Sequence, residues 1–178
     1  MPGPRYTRRD LLIGAAALAI PPAALAQSTA RYAVELLVFR QPGTPPPAPT
    51  AMTIPRASAP AGRVERLPPD AWQLQSLAGG LRRSAGYRVL GHGAWIATVP
   101  ANGSLAAPVE EVLPAAGLTG AVTVQRGQFL FLRVELDYAT PEGRIYQLRE
   151  RRRVKFNERH YFDHPAIGAI AVVSTLAR

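Results

Sequence analysis

The chain has 178 residues, no cysteine, one lysine (Lys155) and a formal charge of +9. Without cysteine there is no disulfide framework, no thiolate nucleophile and no cysteine-based metal site. The length suits one domain with a real core, and an excess of arginine favours anionic partners such as acidic glycans, lipid head groups, acidic protein faces or nucleic acid.

The N-terminus reads as a secretory signal. A basic region ends in Thr7-Arg8-Arg9-Asp10-Leu11-Leu12-Ile13, an apolar run follows to Ile20, and Ala24-Leu25-Ala26 supplies small residues for cleavage. The Arg8-Arg9 pair before a modest apolar run is of twin-arginine type. A spanning helix needs about 20 apolar residues, and this run is shorter and ended by Pro21-Pro22. Cleavage after Ala26 is the expectation, leaving 27–178 in the periplasm with a charge of about +7 and no integral membrane segment. Export weighs against nucleic acid as the partner.

Tyr32 to Phe39 reads as a central strand, apolar on both faces apart from Glu35. A buried carboxylate needs a partner, so Glu35 is expected to meet an arginine or to lie at the sheet end. Residues 27–40 thus form the first strand of the domain. Residues 41–69 are rich in proline and alanine, which rules out helix and central strand and predicts a long, partly disordered loop. Residues 70–178 form the remainder of the domain.

Asp70 is placed to cap a helix from about Ala71, with Trp72, Leu74, Leu77, Leu81 and Ala85 at helical spacing. A short strand at 87–90, a break at Gly91-His92-Gly93 with His92 exposed, and a strand at 94–99 follow. Residues 100–114 read as a loop with a helical turn near 109–113. The rest reads as successive strands: 120–125, 128–138, 145–156 and 167–175. The predicted fold is α+β: an antiparallel-rich sheet with one main helix packed on one face.

Alternation sets a register for the long hairpin. Leu130, Leu132, Val134, Leu136 and Tyr138 form a core stripe, and placing Tyr138 opposite Tyr146 puts Leu136 opposite Leu148 and Glu135 opposite Arg149. Arg149, Arg151, Arg153 and Lys155 then leave the other face together, beside Phe131. Guanidinium groups suit carboxylates and phosphates, so this row is a candidate anion-binding surface. A solvated face that discourages edge pairing is the alternative. Glu150 and Arg152 fall on the core face and are expected to neutralise each other or a neighbour such as Glu35.

His160-Tyr161-Phe162-Asp163-His164 has the composition of a metal or acid–base cluster but lacks a third ligand at suitable spacing, so a hydrogen-bonded turn with Asp163 capping Pro165-Ala166 is expected. No nucleophile elbow, phosphate loop or paired-carboxylate pattern is present. The sequence therefore supports neither an enzyme nor a cofactor.

Three segments in order resemble the CsiV-type peptidoglycan-binding protein family: Tyr32 to Arg40, Tyr87 to Trp95, and Gln128 to Val173 with Arg151-Arg152-Arg153 and His160 to Pro165. The resemblance implies a periplasmic, non-enzymatic protein that binds peptidoglycan and supports cell-wall synthesis or shape. Stem peptides carry carboxylates and sugars pack on rings. Arg149, Arg151, Arg153 and Lys155 are thus the candidate acid-binding residues, and Trp95 or Tyr161 the candidate ring. Peptidoglycan or another anionic envelope component is the expected ligand, with a cell-wall synthase as a further partner. A protein–protein adaptor using the basic face is the second reading.

Overall fold

The computed structural model describes residues 28–43 and 64–176. The signal motif Arg8-Arg9, the site Ala24-Leu25-Ala26 and most of the proline-rich segment lie outside those residues. The described chain is mainly strand: β1 (Thr29–Arg40), β2 (Glu65–Arg66), β3 (Arg88–Pro100), β4 (Ser104–Pro108), β5 (Leu118–Arg126), β6 (Leu130–Ala139), β7 (Ile145–Arg153), β8 (Arg159–Asp163) and β9 (Ile167–Thr175). The helices are α1 (Gln75–Arg83) and α2 (Val109–Val112), with a 3₁₀ turn at Pro69–Ala71.

The α+β class holds, but the single expected sheet is two. One sheet has the order β2-β3-β1-β9-β8 and the other β4-β5-β6-β7, each wholly antiparallel. They face each other. Val34, Leu36, Val38 and Trp95 of the first pack into one core with Val122, Val124, Leu132, Val134 and Leu136 of the second. Strand alternation sends Leu37 and Phe39 the other way, where they meet Leu74 and Ala78 of α1 and Val172 of β9. The result is three layers: helix, five-stranded sheet, four-stranded sheet. β1 is apolar on both faces because it is covered on both. Each fully buried Leu or Val stabilises this stack by about 1.5–3 kcal/mol.

Three local expectations are corrected. α1 begins at Gln75 rather than near Ala71, and no side chain of its own segment caps it. Glu35 does so from β1: its Oε2 accepts from Gln73 N at 2.6 Å and its Oε1 from Leu74 N at 2.9 Å. Glu35 therefore meets neither an arginine nor the sheet end. Its third partner is His92, at 2.7 Å, whose side chain is only 2% exposed. Gly91-His92-Gly93 does not break a strand, because β3 runs through it. The glycines admit α2 instead: a Cβ on Gly93 would overlap Val112 O, and one on Gly91 would press Leu113 Cδ2 at 3.2 Å.

Candidate functional site

The hairpin β6–β7 has the register expected from alternation. Tyr138 pairs with Tyr146, Leu136 with Leu148, Glu135 with Arg149 and Arg133 with Arg151. Arg149, Arg151 and Arg153 therefore share the outer face of the second sheet, away from the first. Lys155 lies beyond the end of β7 and sits 3.4 Å from Glu158.

The four cations differ in what holds them. Arg149 is half-buried and closed: it pairs with Asp137 and donates from Nη1 to Leu136 O at 2.6 Å and to Leu148 O at 3.0 Å. Its ion-pair partner Asp137 is the acid diagonal to it across the strands. Arg151 lies flat over Phe131, its Cζ 3.6 Å from the ring centroid, and donates to Gln125 Oε1 of β5 at 3.0 and 3.2 Å. Arg153 lies over Phe129 at 3.5 Å. Among the described residues neither Arg151 nor Arg153 is in an ion pair. Arg133, directly across the strands from Arg151, brings a third guanidinium to the patch. Cation–π contact contributes about 0.5–1 kcal/mol at an exposed site and fixes the plane of the fork while leaving its edge open.

Arg133, Gln125 and Phe129 belong to this surface and were not among the residues singled out from sequence. Cross-strand alternation was the signal that points to Arg133. Gln125 required knowing that β5 lies beside β6.

On the inner face, Glu150 and Arg152 pair with each other as expected, and Glu150 Oε2 also accepts from Asp163 N at 3.3 Å. This links the edge of the second sheet to β8.

The two candidate rings are not brought to the arginines. Trp95 is 1% exposed in the inter-sheet core, so its ring has no free face and cannot serve as a binding platform. Tyr161 is 40% exposed but lies on the α1 side of the first sheet, the opposite outer face of the molecule. There its ring stacks on Phe39 at 6.3 Å, and Tyr87 meets Phe39 edge-on at 5.8 Å. Gly168 makes room for the stack: a Cβ there would meet Phe39 at 2.7 Å and Tyr161 at 3.0 Å. The Tyr161 hydroxyl donates to Asp163 Oδ1 at 2.8 Å, and Gln41 Nε2 donates to both, at 3.0 and 2.7 Å. Burial and the Asp163 carboxylate push the Tyr161 phenol up to about 12, and the phenol's hydrogen bond holds Asp163 below its ordinary value.

Asp163 thus faces Tyr161 and Gln41 rather than capping the following turn. That turn is closed by His164, whose Nδ1 accepts from Ala166 N at 3.1 Å. Burial lowers the pKa of His164, in keeping with a neutral ring acting as acceptor. His160 Nε2 accepts from Lys155 N at 3.1 Å, tying its own loop. Among the described residues no three His, Asp or Glu side chains are grouped to hold a metal ion, and no helix is long and apolar enough to cross a membrane.

A family model described as "Peptidoglycan-binding protein, CsiV" matches residues 47–175, most of the chain. Neither the curated proteins nor the solved structures contain a match.

Proposed function

Because the chain belongs to the CsiV family of peptidoglycan-binding proteins, we propose that it acts in the periplasm as a non-enzymatic wall-binding protein supporting cell-wall synthesis or shape, and that the arginine-bearing outer face of the second sheet is its contact. One observation carries the choice of face. Arg151 and Arg153 lie flat on Phe131 and Phe129 without an acidic partner among the described residues, and Arg133 stands opposite Arg151. Like charges directly opposite on a sheet are destabilising, and an anion between them relieves the repulsion. The forks are held in plane and suit the carboxylates of stem peptides.

The test is co-sedimentation with purified sacculi. Retention is expected at low salt and loss at high salt, since exposed charge contacts are screened beyond a Debye length of about 10 Å at 0.1 M. The Arg151→Ala/Arg153→Ala double variant should stay in the supernatant at low salt. Equal retention of the variant would move the contact elsewhere. Absence of retention together with protein crosslinks in cells would favour an adaptor docking an acidic partner, a cell-wall synthase among them.

A further inference from the structure

At one end of the molecule the two sheets part around a cleft of about 320 Å³. This is at the small end of ligand-site volumes, roughly 300–1,000 Å³. Arg40, the last residue of β1, contributes from the first sheet, and the β6–β7 turn, with Thr140, Glu142 and Arg144, contributes from the second. The turn is well closed: Thr140 N donates to Arg144 O at 2.8 Å, Gly143 N to Thr140 O at 2.9 Å, and Arg144 N to Thr140 Oγ1 at 3.3 Å. Gly143 supplies the positive φ of 79° that the turn requires.

Three features of this cleft go beyond a solvated groove. Arg40 and Arg144 both line it, and among the described residues neither is closed into a salt bridge. Tyr146 forms part of its wall, and the Tyr146 hydroxyl is buried with no hydrogen-bond partner among the described residues. A buried polar group left unsatisfied costs about 1–3 kcal/mol, so it marks a place where a partner is missing. Glu142 sets a negative charge among the cations. Its carboxyl is held below the ordinary range by the Thr140 hydroxyl, then by its own backbone amide, and then by the charges of Arg144 and Arg40.

We propose that this cleft is a binding site for a small zwitterion of α-amino-acid type, its carboxylate taken by Arg40, Arg144 and the Tyr146 hydroxyl and its ammonium by Glu142. Two cations alone would suit any anion. The glutamate disfavours a second carboxylate and rewards an adjacent ammonium. The site is separate from the arginine face, since Arg40 and the turn lie at the mouth between the sheets while Arg151 and Arg153 lie on an outer surface. Its natural source in the wall is the free end of an uncrosslinked diamino-acid stem, and that clause rests on the peptidoglycan-binding reading.

The experiment is an NMR titration of the ¹⁵N-labelled protein with meso-diaminopimelate, pimelate and cadaverine as probes. Diaminopimelate should shift the amides of Thr140, Glu142, Gly143, Arg144, Tyr146 and Gln41. Losing one charge-assisted contact should make pimelate bind about tenfold weaker, and cadaverine weaker still. Arg144→Ala and Tyr146→Phe should weaken diaminopimelate binding, while Arg151→Ala/Arg153→Ala should leave it unchanged. Absence of shifts at the turn, equal binding of pimelate, or wild-type affinity in Arg144→Ala would overturn the site. The two readings fail separately. Sacculi retained with a silent cleft remove only this site. Diaminopimelate bound at the cleft with no retention on sacculi leaves the site standing and removes its assignment to the wall.

Discussion

Glu35 and His92, 57 positions apart on neighbouring strands, meet at 2.7 Å beneath the first turn of α1. The same carboxylate accepts the backbone amides of Gln73 and Leu74, so one side chain joins two strands and caps the helix that covers them. Trp72 closes the arrangement, its ring 4.5 Å from that of His92. Glu35→Ala removes three hydrogen bonds and leaves buried donors unanswered. It should cost about 3 kcal/mol, as for a broken buried pair, with Glu35→Gln losing less because its carbonyl oxygen still accepts. Urea unfolding checks this, and a loss below about 1 kcal/mol for the alanine variant would deny Glu35 its capping role.

The cations of the hairpin should separate in their effects. Arg149 closes a half-buried network with Asp137 and two carbonyls, so Arg149→Ala should lower stability by about 1–2 kcal/mol. Arg153 lies over a surface ring, so Arg153→Ala should stay within about 0.5 kcal/mol while reducing wall retention. Arg151→Lys keeps the charge but loses the flat stack on Phe131 and the two bonds to Gln125. Its retention should fall between wild type and alanine. Thermal melts and sacculus co-sedimentation on the same three variants test the separation.

Gly91 and Gly93 give a graded test of close packing between β3 and α2. Gly93→Ala drives a methyl into a backbone carbonyl, which cannot give way without moving α2, and should cost about 2–3 kcal/mol. Gly91→Ala meets side-chain atoms, Leu113 Cδ2 at 3.2 Å, Leu113 Cβ at 3.3 Å and Leu118 Cδ2 at 3.5 Å, which need give by only a few tenths of an ångström, and should cost less. Denaturation midpoints of the two variants check the order, and a reversed order would place the constraint elsewhere.

What could be read from the sequence was local and periodic. Leu130 to Tyr138 alternates so cleanly that a one-residue slip would turn the whole stripe outward, and this is why the pairing of Tyr138 with Tyr146 was legible. The salt bridge of Glu150 with Arg152 was legible for the same reason. The division into two sheets was not, because alternation says which face a residue takes but not what covers that face. Trp95 illustrates this: its strand was recognised, but only the second sheet shows that its ring is enclosed. Gly91 and Gly93 look like punctuation in a sequence, and their purpose lies in Val112 and Leu113, some twenty residues on. Likewise the partner of Glu35 depends on β1 and β3 being neighbours. The row of arginines was legible as a row, whereas its division into a closed Arg149 and open Arg151 and Arg153 depends on Asp137, Phe131 and Phe129 at particular cross-strand positions.

The Gln41–Tyr161–Asp163 cluster should give stability a pH dependence at both extremes. Asp163 is depressed in the folded state, chiefly by the Tyr161 hydroxyl, so the unfolded chain binds its proton more readily. Its contribution is present above the ordinary carboxylate value of 3.8 and is lost as pH falls below that value through the folded one. Tyr161 is raised from 10.0 to about 12, so its contribution is present below pH 10 and is lost as pH rises from 10 towards 12. Tyr161→Phe removes the proton that both effects share. It should flatten the alkaline loss and weaken the acid loss together, while the stack on Phe39 remains. Asp163→Asn should flatten only the acid side through its own titration, and should also ease ionisation of the phenol by removing the charge beside it. Unfolding free energies from pH 3 to 11.5 for the three proteins test the coupling, and an unchanged alkaline slope in Tyr161→Phe would show that Tyr161 is not the group responsible.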